Sequence, residues 1–372
     1  MWKNYIKIAW RNIRRNRIFS LINIGGLSLG LACCMLILLY IKDENSFDRF
    51  HENLDQLYRI KVTMSGENGH NTIGSTNAIH GPTFKEEIPE ISEVVRAQSN
   101  SFVVKNGEDL SDLDVLFADN NFFEVFSLPL LSGNHQNVLS DIHSIVLSED
   151  MAELYFGTKD ALGKTLELKI GEEFESFVVS GVAKRSPWNS SLQFDSVISF
   201  NFQEENGWTN DEWLGFYMNT FVLLDNNASP SAVVPKLNQV FERNAAAEIG
   251  EAKGFNDKVH FDLQPFINIH LDNSVASERN GLAHASNPVY SYILSGIALF
   301  MLLIACINFV NLAVARSLKR GKEIGVRKVI GGQRKQLVLQ FLTESFLLAC
   351  IAYVLAIFLT QFTLPTFNQL AN

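Results

Sequence analysis

Glu344 is the residue best placed to do proton chemistry in this chain. It interrupts an otherwise uncharged stretch, Leu337 to Phe362. A carboxylate in apolar surroundings is costly, and its presence there points to a role. Proton coupling needs more than one acid, however, and the apolar stretches hold only this one. The alternative is a structural lock, with Glu344 near the inner headgroups or paired with a basic loop residue. Other candidates lack the required spacing. His51-Glu52 has no second histidine at helical spacing, and neither His260 nor His270 stands in a zinc-site pattern. Ser148, in Leu147-Ser148-Glu149, is not in a GxSxG elbow. Gly331-Gly332-Gln333-Arg334-Lys335 is glycine-rich and basic but has the wrong spacing for a phosphate-binding loop. The chain reads as a non-enzyme, with no cofactor and no metal.

The elements around Glu344 are more telling. Residues 316–335, RSLKRGKEIGVRKVIGGQRK, hold eight basic residues and one acid, Glu323. Uncharged runs of membrane length flank them, Pro288 to Ala315 and the stretch that contains Glu344. A short basic segment between two such runs reads as a cytoplasmic loop. Ile324, Val326, Val329 and Ile330 place apolar residues among its charges, so we expect a partly helical element at the membrane surface.

Charge by region sets the topology. Residues 1–41 carry six basic residues and no acid, whereas 42–284 carry 17 basic and 38 acidic residues. Basic flanks inside and an acidic segment outside follow the positive-inside rule. So acidic a domain does not suit a nucleic-acid partner. Residues 1–17 put Trp2, Ile6, Ala9, Trp10 and Ile13 on one helical face, as in an interfacial helix bound to membrane lipids. A first transmembrane helix is expected over 18–41, a second over 285–315 and a third over 336–362. Residues 363–372, which include Pro365, are expected to form an external tail. Gly26 and Gly30 give the first helix a small-residue face, suited to close packing within one subunit or to a dimer seam. Asn308 and Asn311 share one face of the second helix and are expected to hydrogen-bond when buried, like Glu344 on the third.

The outside segment, 42–284, contains none of the four cysteines and so must fold without a disulfide. Strand patterns appear at 58–63, 102–105, 145–147, 165–170, 177–182, 220–224 and 259–263. Helical patterns fall at 81–87, 150–156 and 231–247. The fold class is therefore a membrane protein with α-helical transmembrane segments and a large mixed α+β extracytoplasmic domain inserted between the first and second helices.

Several motifs carry a resemblance to a known family. Residues 9–17, AWRNIRRNR, resemble the start of MacB/FtsX-like ABC transporter permeases. Residues 306–312, CINFVNL, followed by 323–328, EIGVRK, are similar to their second helix and coupling segment. Gln340-Phe341-Leu342 with Glu344-Ser345 is similar to the start of their third helix. In the outside segment, Phe47-Asp48-Arg49-Phe50-His51, Tyr155-Phe156-Gly157 and Leu162-Gly163-Lys164-Thr165-Leu166 resemble the MacB-like core. The resemblance implies an outside domain with a sabre-like insert at about 112–200. It also implies a separate ABC ATPase docking on Glu323, Ile324, Gly325, Val326 and Arg327. A second permease copy or half is a further implied partner, as are a periplasmic adaptor and an outer-membrane channel. Family members have at least four membrane helices; the expectation is that this sequence stops before the fourth.

The function expected is that of a permease subunit in a bacterial inner membrane. It would couple ATP hydrolysis by another chain to movement of the periplasmic domain, for export or efflux. The rivals are an FtsX-like regulator of cell-wall hydrolases, a peptide-sensing permease without transport, and a plain membrane-anchored structural domain. Co-purification separates export from hydrolase regulation, and a ligand-dependent ATPase rate without transport marks the peptide sensor.

Overall fold

The structure is a computed structural model. It describes residues 2–66, 69–107, 109–251, 258–275, 280–283, 285–319, 329 and 334–371. They form two compact units: Met1–Asn45 with Pro288–Asn372, and Ser46–Asn287. The chain opens with α1, Trp2–Arg15, and α2, Arg17–Glu44. Asn16, between them, leaves helical dihedrals (φ −110°, ψ 60°) and separates the two. In α1, Ala9 and Ile13 are buried while Ile6 and Trp10 stay exposed, so the expected apolar face is shared between protein and surroundings. The 28 residues of α2 extend about 42 Å at 1.5 Å per residue, enough to cross a bilayer.

The second unit is built on one sheet. Its strands are β1 Leu57–Gly66, β2 Gly69–Ile73, β3 Ser75–Thr76, β4 Ile91–Asn106, β5 Asp109–Ala118 and β6 Leu130–Ser132. There follow β7 Ser144–Ser148, β8 Thr165–Ile170, β9 Glu173–Ala183, β10 Ser196–Ser199, β11 Met218–Leu224 and β12 Lys258–Pro265. The helices between them are α3 His80–Glu87, α4 Phe122–Val125, α5 Glu149–Phe156, α6 Asn201–Glu205 and α7 Pro230–Glu251. The strand order is β12-β1-β11-β4-β5-β10-β7-β9-β6, with β2 beside β1, β3 beside β11, and β8 joined to β4 and β9. Each expected strand and helix lies within one of these elements. Ser148 plays a structural part as the N-cap of α5, its hydroxyl accepting from Met151 N.

The stretch expected as an insert, about 112–200, does not form a sheet of its own. It supplies most of β5 and all of β6 to β10 to the common sheet, and the parallel β5–β10 pair carries the sheet onward. Of the apolar clusters, one lies wholly outside that stretch, and another, mostly within it, also takes Val104 and Phe202. The first gathers Ile60, Phe84, Val222, Phe241 and Phe261; the second gathers Leu113, Phe117, Leu147 and Phe177 with those two. A third, with Phe122, Phe126, Phe221 and Phe266, takes residues from inside and outside the stretch. Arg96 on β4 works at the join. Its guanidinium binds both carboxylate oxygens of Asp119 (2.7 and 3.1 Å), Glu204 (2.6 Å) and the carbonyl of Ala78 (3.2 Å). Burial works against its charge, but the two carboxylates outweigh it and raise its pKa.

The last two helices are α8, Pro288–Lys319, and α9, Arg334–Ala371. With α2 they are the three helices long and apolar enough to cross a membrane among the described residues. Here α2 lies between the other two, with Leu27 meeting Ala305 of α8 and Ala352 of α9. The expected end of the third helix at 362, with an external tail over 363–372, is corrected: α9 continues through Pro365 to Ala371. Proline removes one backbone donor but does not end a helix whose neighbours make good the loss. Thr363 Oγ1 donates to the carbonyl of Leu359 (2.8 Å), and the ring of Phe367 sits edge-on to Tyr40 of α2. Packing of the last turns against α2 thus keeps them helical.

Candidate functional site

Two candidate sites stand out among the described residues: the seams between the membrane helices, and the segments of the outer domain that follow α2 and precede α8. The expected ATPase-docking residues Glu323, Ile324, Gly325, Val326 and Arg327 lie outside the described residues.

Small residues make the seam between α2 and α8. A Cβ placed on Gly30 would sit 2.7 Å from Ala305 Cβ, closer than real atoms approach, and one on Gly26 would lie 3.2 Å from Asn308 Nδ2. Both glycines therefore face α8 of the same chain. Cys34 Sγ adds a contact of 3.2 Å to the carbonyl of Ala298. Asn308 and Asn311, expected to hydrogen-bond when buried, are both exposed in the single chain. Asn308 still borders Gly26. Asn311 stands six residues beyond buried Ala305, which turns it about 120° away from the seam.

Glu344 is 4% exposed and accepts a hydrogen bond from Asn12 Nδ2 of α1 at 3.3 Å. This hydrogen bond ties the amphipathic helix to α9. The loop arginines expected as its partners belong to a segment whose side chains lie outside the described residues. Asn12 went unnoticed because amphipathic patterning emphasises apolar and charged positions and passes over amides.

The second site was largely illegible in the sequence. Beyond α2 the chain runs through Ser46 to His51; before α8 it runs through Gly281 to Asn287. Both segments are fastened to the same loop, Ser186–Gln193, between β9 and β10. On the first side, Asn189 Nδ2 donates to Ser46 O (3.1 Å) and Asp48 N donates to Asn189 O (3.0 Å). The buried carboxylate of Asp48 accepts from Ser191 N (2.7 Å) and Ser191 Oγ (2.5 Å). On the second side, Ala283 N donates to Ser191 O (2.7 Å) and Gln193 N donates to Gly281 O (3.0 Å). Leu192 and Leu282 form an antiparallel bridge.

Side chains close this junction. Asp48 is held at φ +59°, a conformation that asparagine and aspartate adopt more readily than most side chains. His51 is buried, with Nδ1 2.5 Å from the carbonyl of Phe126 and Nε2 3.7 Å from Asp48. Phe47 stacks flat on His270, ring centroids 3.3 Å apart, and Ser286 N donates to His270 O (2.6 Å). Serine, histidine and aspartate meet here, but the serine bonds the aspartate and not the imidazole. The arrangement is a fastening and lacks the order of a nucleophilic triad.

The profile of the MacB-like periplasmic core domain matches residues 20–240, and that of the FtsX-like permease C-terminal region matches residues 295–372. The chain belongs to the MacB/FtsX-like ABC transporter permeases. The ABC transporter permease YvrN of Bacillus subtilis (strain 168) is 23% identical over 95% of this chain and 85% of its own length. The macrolide export ATP-binding/permease protein MacB of Neisseria meningitidis (serogroup A, strain Z2491) is 23% identical over 67% of this chain. The match spans only 35% of that MacB. A solved permease domain from Porphyromonas gingivalis, 21% identical, covers 58% of this chain with a TM-score of 0.51, and so shares the fold of the outer domain. As a MacB/FtsX-like permease, the chain is a membrane protein with a mixed α/β domain between its first and second spans.

Proposed function

We propose that this permease transmits movement from a separate ABC ATPase to its outer domain, and that it is itself non-catalytic. The observation that carries this is the double fastening of loop Ser186–Gln193 to the segment leaving α2 and to the segment approaching α8. Relative motion of the two helices then strains one loop, and the loop passes it to β9 and β10. The ATPase would act on residues 316–335, with Glu323 to Arg327 as the contact, from the cytoplasmic side of a bacterial inner membrane. Gly325 supports this placement: it costs a helix about 1 kcal/mol relative to alanine, a cost that a surface gains from only when a partner's backbone comes close. A second permease copy or half fits the exposed face of α8 that carries Asn311. An adaptor and an outer-membrane channel would follow if the work done is export.

The test uses the chain reconstituted with its ATPase. Gly325→Trp, or Glu323→Ala with Arg327→Ala, should leave expression and insertion intact and abolish complex formation and stimulated ATP turnover. Asp48→Ala should leave the ATPase bound but remove the ATP-dependent change in hydrogen exchange of loop 186–193. A loop whose exchange is indifferent to ATP in the unsubstituted complex would overturn the proposal. Orientation is checked separately: a cysteine at Ser274 should react with an impermeant label from outside, and one at Ser317 should not.

A further inference from the structure

Trp188 lies in the same loop and takes no part in the fastening. The residue is 57% exposed, more than any other tryptophan or phenylalanine among the described residues of the outer domain, ahead of Trp208 at 41%. A single exposed apolar side chain is ordinary on a soluble surface. Two observations set this one apart. The ring is held from behind, edge-on to Phe47 at 6.2 Å, and Phe47 is itself stacked on His270. The next residue, Asn189, is bonded to Ser46 through both the backbone oxygen (3.1 Å) and the hydroxyl (3.0 Å).

The second observation fixes its height. Ser46 follows Glu44, the last residue of α2, by two positions. Two residues of chain span at most about 7 Å. The uncharged run of α2 ends at Ile41, so Lys42, Asp43 and Glu44 already lie among the headgroups. Tyr40 of α2, with Tyr290 and Tyr292 at the start of α8, marks the same interface. Covalent reach therefore keeps Asn189, with Trp188 next to it in the chain, near the outer end of α2. An indole, with an apolar body and a polar N–H, is the side chain best suited to a headgroup layer.

We infer that Trp188 is an interfacial anchor, seated in the outer headgroups of the bilayer and holding the loop at the membrane surface. The inference rests on the membrane topology alone and does not depend on transmission through the loop.

The experiment compares tryptophan emission of the full chain in nanodiscs of ordinary and acyl-brominated phosphatidylcholine. Trp188→Phe keeps the aromatic anchor and removes its emission. Trp208→Phe, on a ring stacked with Phe102 within the domain, is the control. Bromine quenches only indoles at the bilayer. The quenched share of total emission should fall in Trp188→Phe and rise in Trp208→Phe. Aqueous iodide should show the reverse, with the emission lost in Trp188→Phe being the iodide-shielded part. A quenched share that is unchanged or rises in Trp188→Phe would place the ring in water and overturn the inference. So would iodide quenching of the Trp188 emission as strong as that of Trp208.

Discussion

The outer domain and the membrane helices are packed by opposite means. Among the described residues, every one of the twelve largest fully buried side chains is phenylalanine, and all twelve belong to the outer domain. The buried positions of the membrane helices are held mostly by small residues, among them Ala32, Ala298, Ala305, Ala352, Ala356, Gly30 and Ser28, beside Leu27, Ile37 and Leu348. The solvent explains the difference. In water, large apolar rings give the most stabilisation per side chain on burial. In lipid, apolar burial drives nothing, and helices gain by close approach of small residues. A volume removed from the first region should therefore do the damage that a volume added does in the second.

The largest effect is expected in the outer domain. Phe261 is fully buried against Phe84, Phe241 and His80. Phe261→Ala should cost about 3–5 kcal/mol, read from denaturant unfolding of that domain. Next is a pH effect in the same cluster. His80 accepts from Asn77 N at Nδ1 and approaches the carbonyl of Trp213 with Nε2, so it is satisfied when neutral. Burial lowers its pKa from 6.5 to about 4, against the weaker pull of the Trp213 carbonyl. Between those values the unfolded chain takes up the proton and the folded one does not. Its contribution is therefore fully present above pH 6.5 and is lost as pH falls through about 4, by roughly 3 kcal/mol at about 1.4 kcal/mol per unit. Unfolding midpoints measured from about pH 7 to about pH 4 should show a fall that His80→Gln flattens; an equal slope in both would assign the fall to other groups.

In the membrane unit the sign of the volume change reverses. Gly30→Val drives a side chain into Ala305 and should cost about 1–3 kcal/mol, seen as a lower melting temperature in detergent. Ala305→Gly in the same chain should recover part of the loss, because it reopens the space. The smallest effect is expected for Asn12→Ala. Loss of one amide from Glu344 should cost about 1 kcal/mol and raise protease access to α1. If Gly30→Val proved harmless while Phe261→Ala proved severe, the membrane seam would be loosely packed and the contrast would fail.

The sequence showed these regions unequally. Apolar runs and charge asymmetry made the membrane spans plain, since a bilayer imposes length and polarity on any helix that crosses it. Strands such as Thr165–Ile170 alternate apolar and polar residues and were legible for that reason. The first half of β5, Asp109 to Asp112, is exposed and mostly polar, so only its partner β4 reveals it as a strand. Gly26 and Gly30 could be read as a packing face, but nothing in their spacing chose α8 over a second copy. Asp48, Ser191 and Ala283 are far apart in the chain, and no periodicity joins them. The junction exists only through hydrogen bonds between loops, which leave no pattern in composition or spacing.

The fastening of both connecting segments to one loop has a practical consequence. The domain's two ends stay side by side through bonds of its own. It is thus a cassette: cut free after Asn45 and before Pro288, it keeps its closure, and a short glycine-serine bridge could seal the gap. The same closure would let it be transplanted between any two helices whose outer ends lie close together.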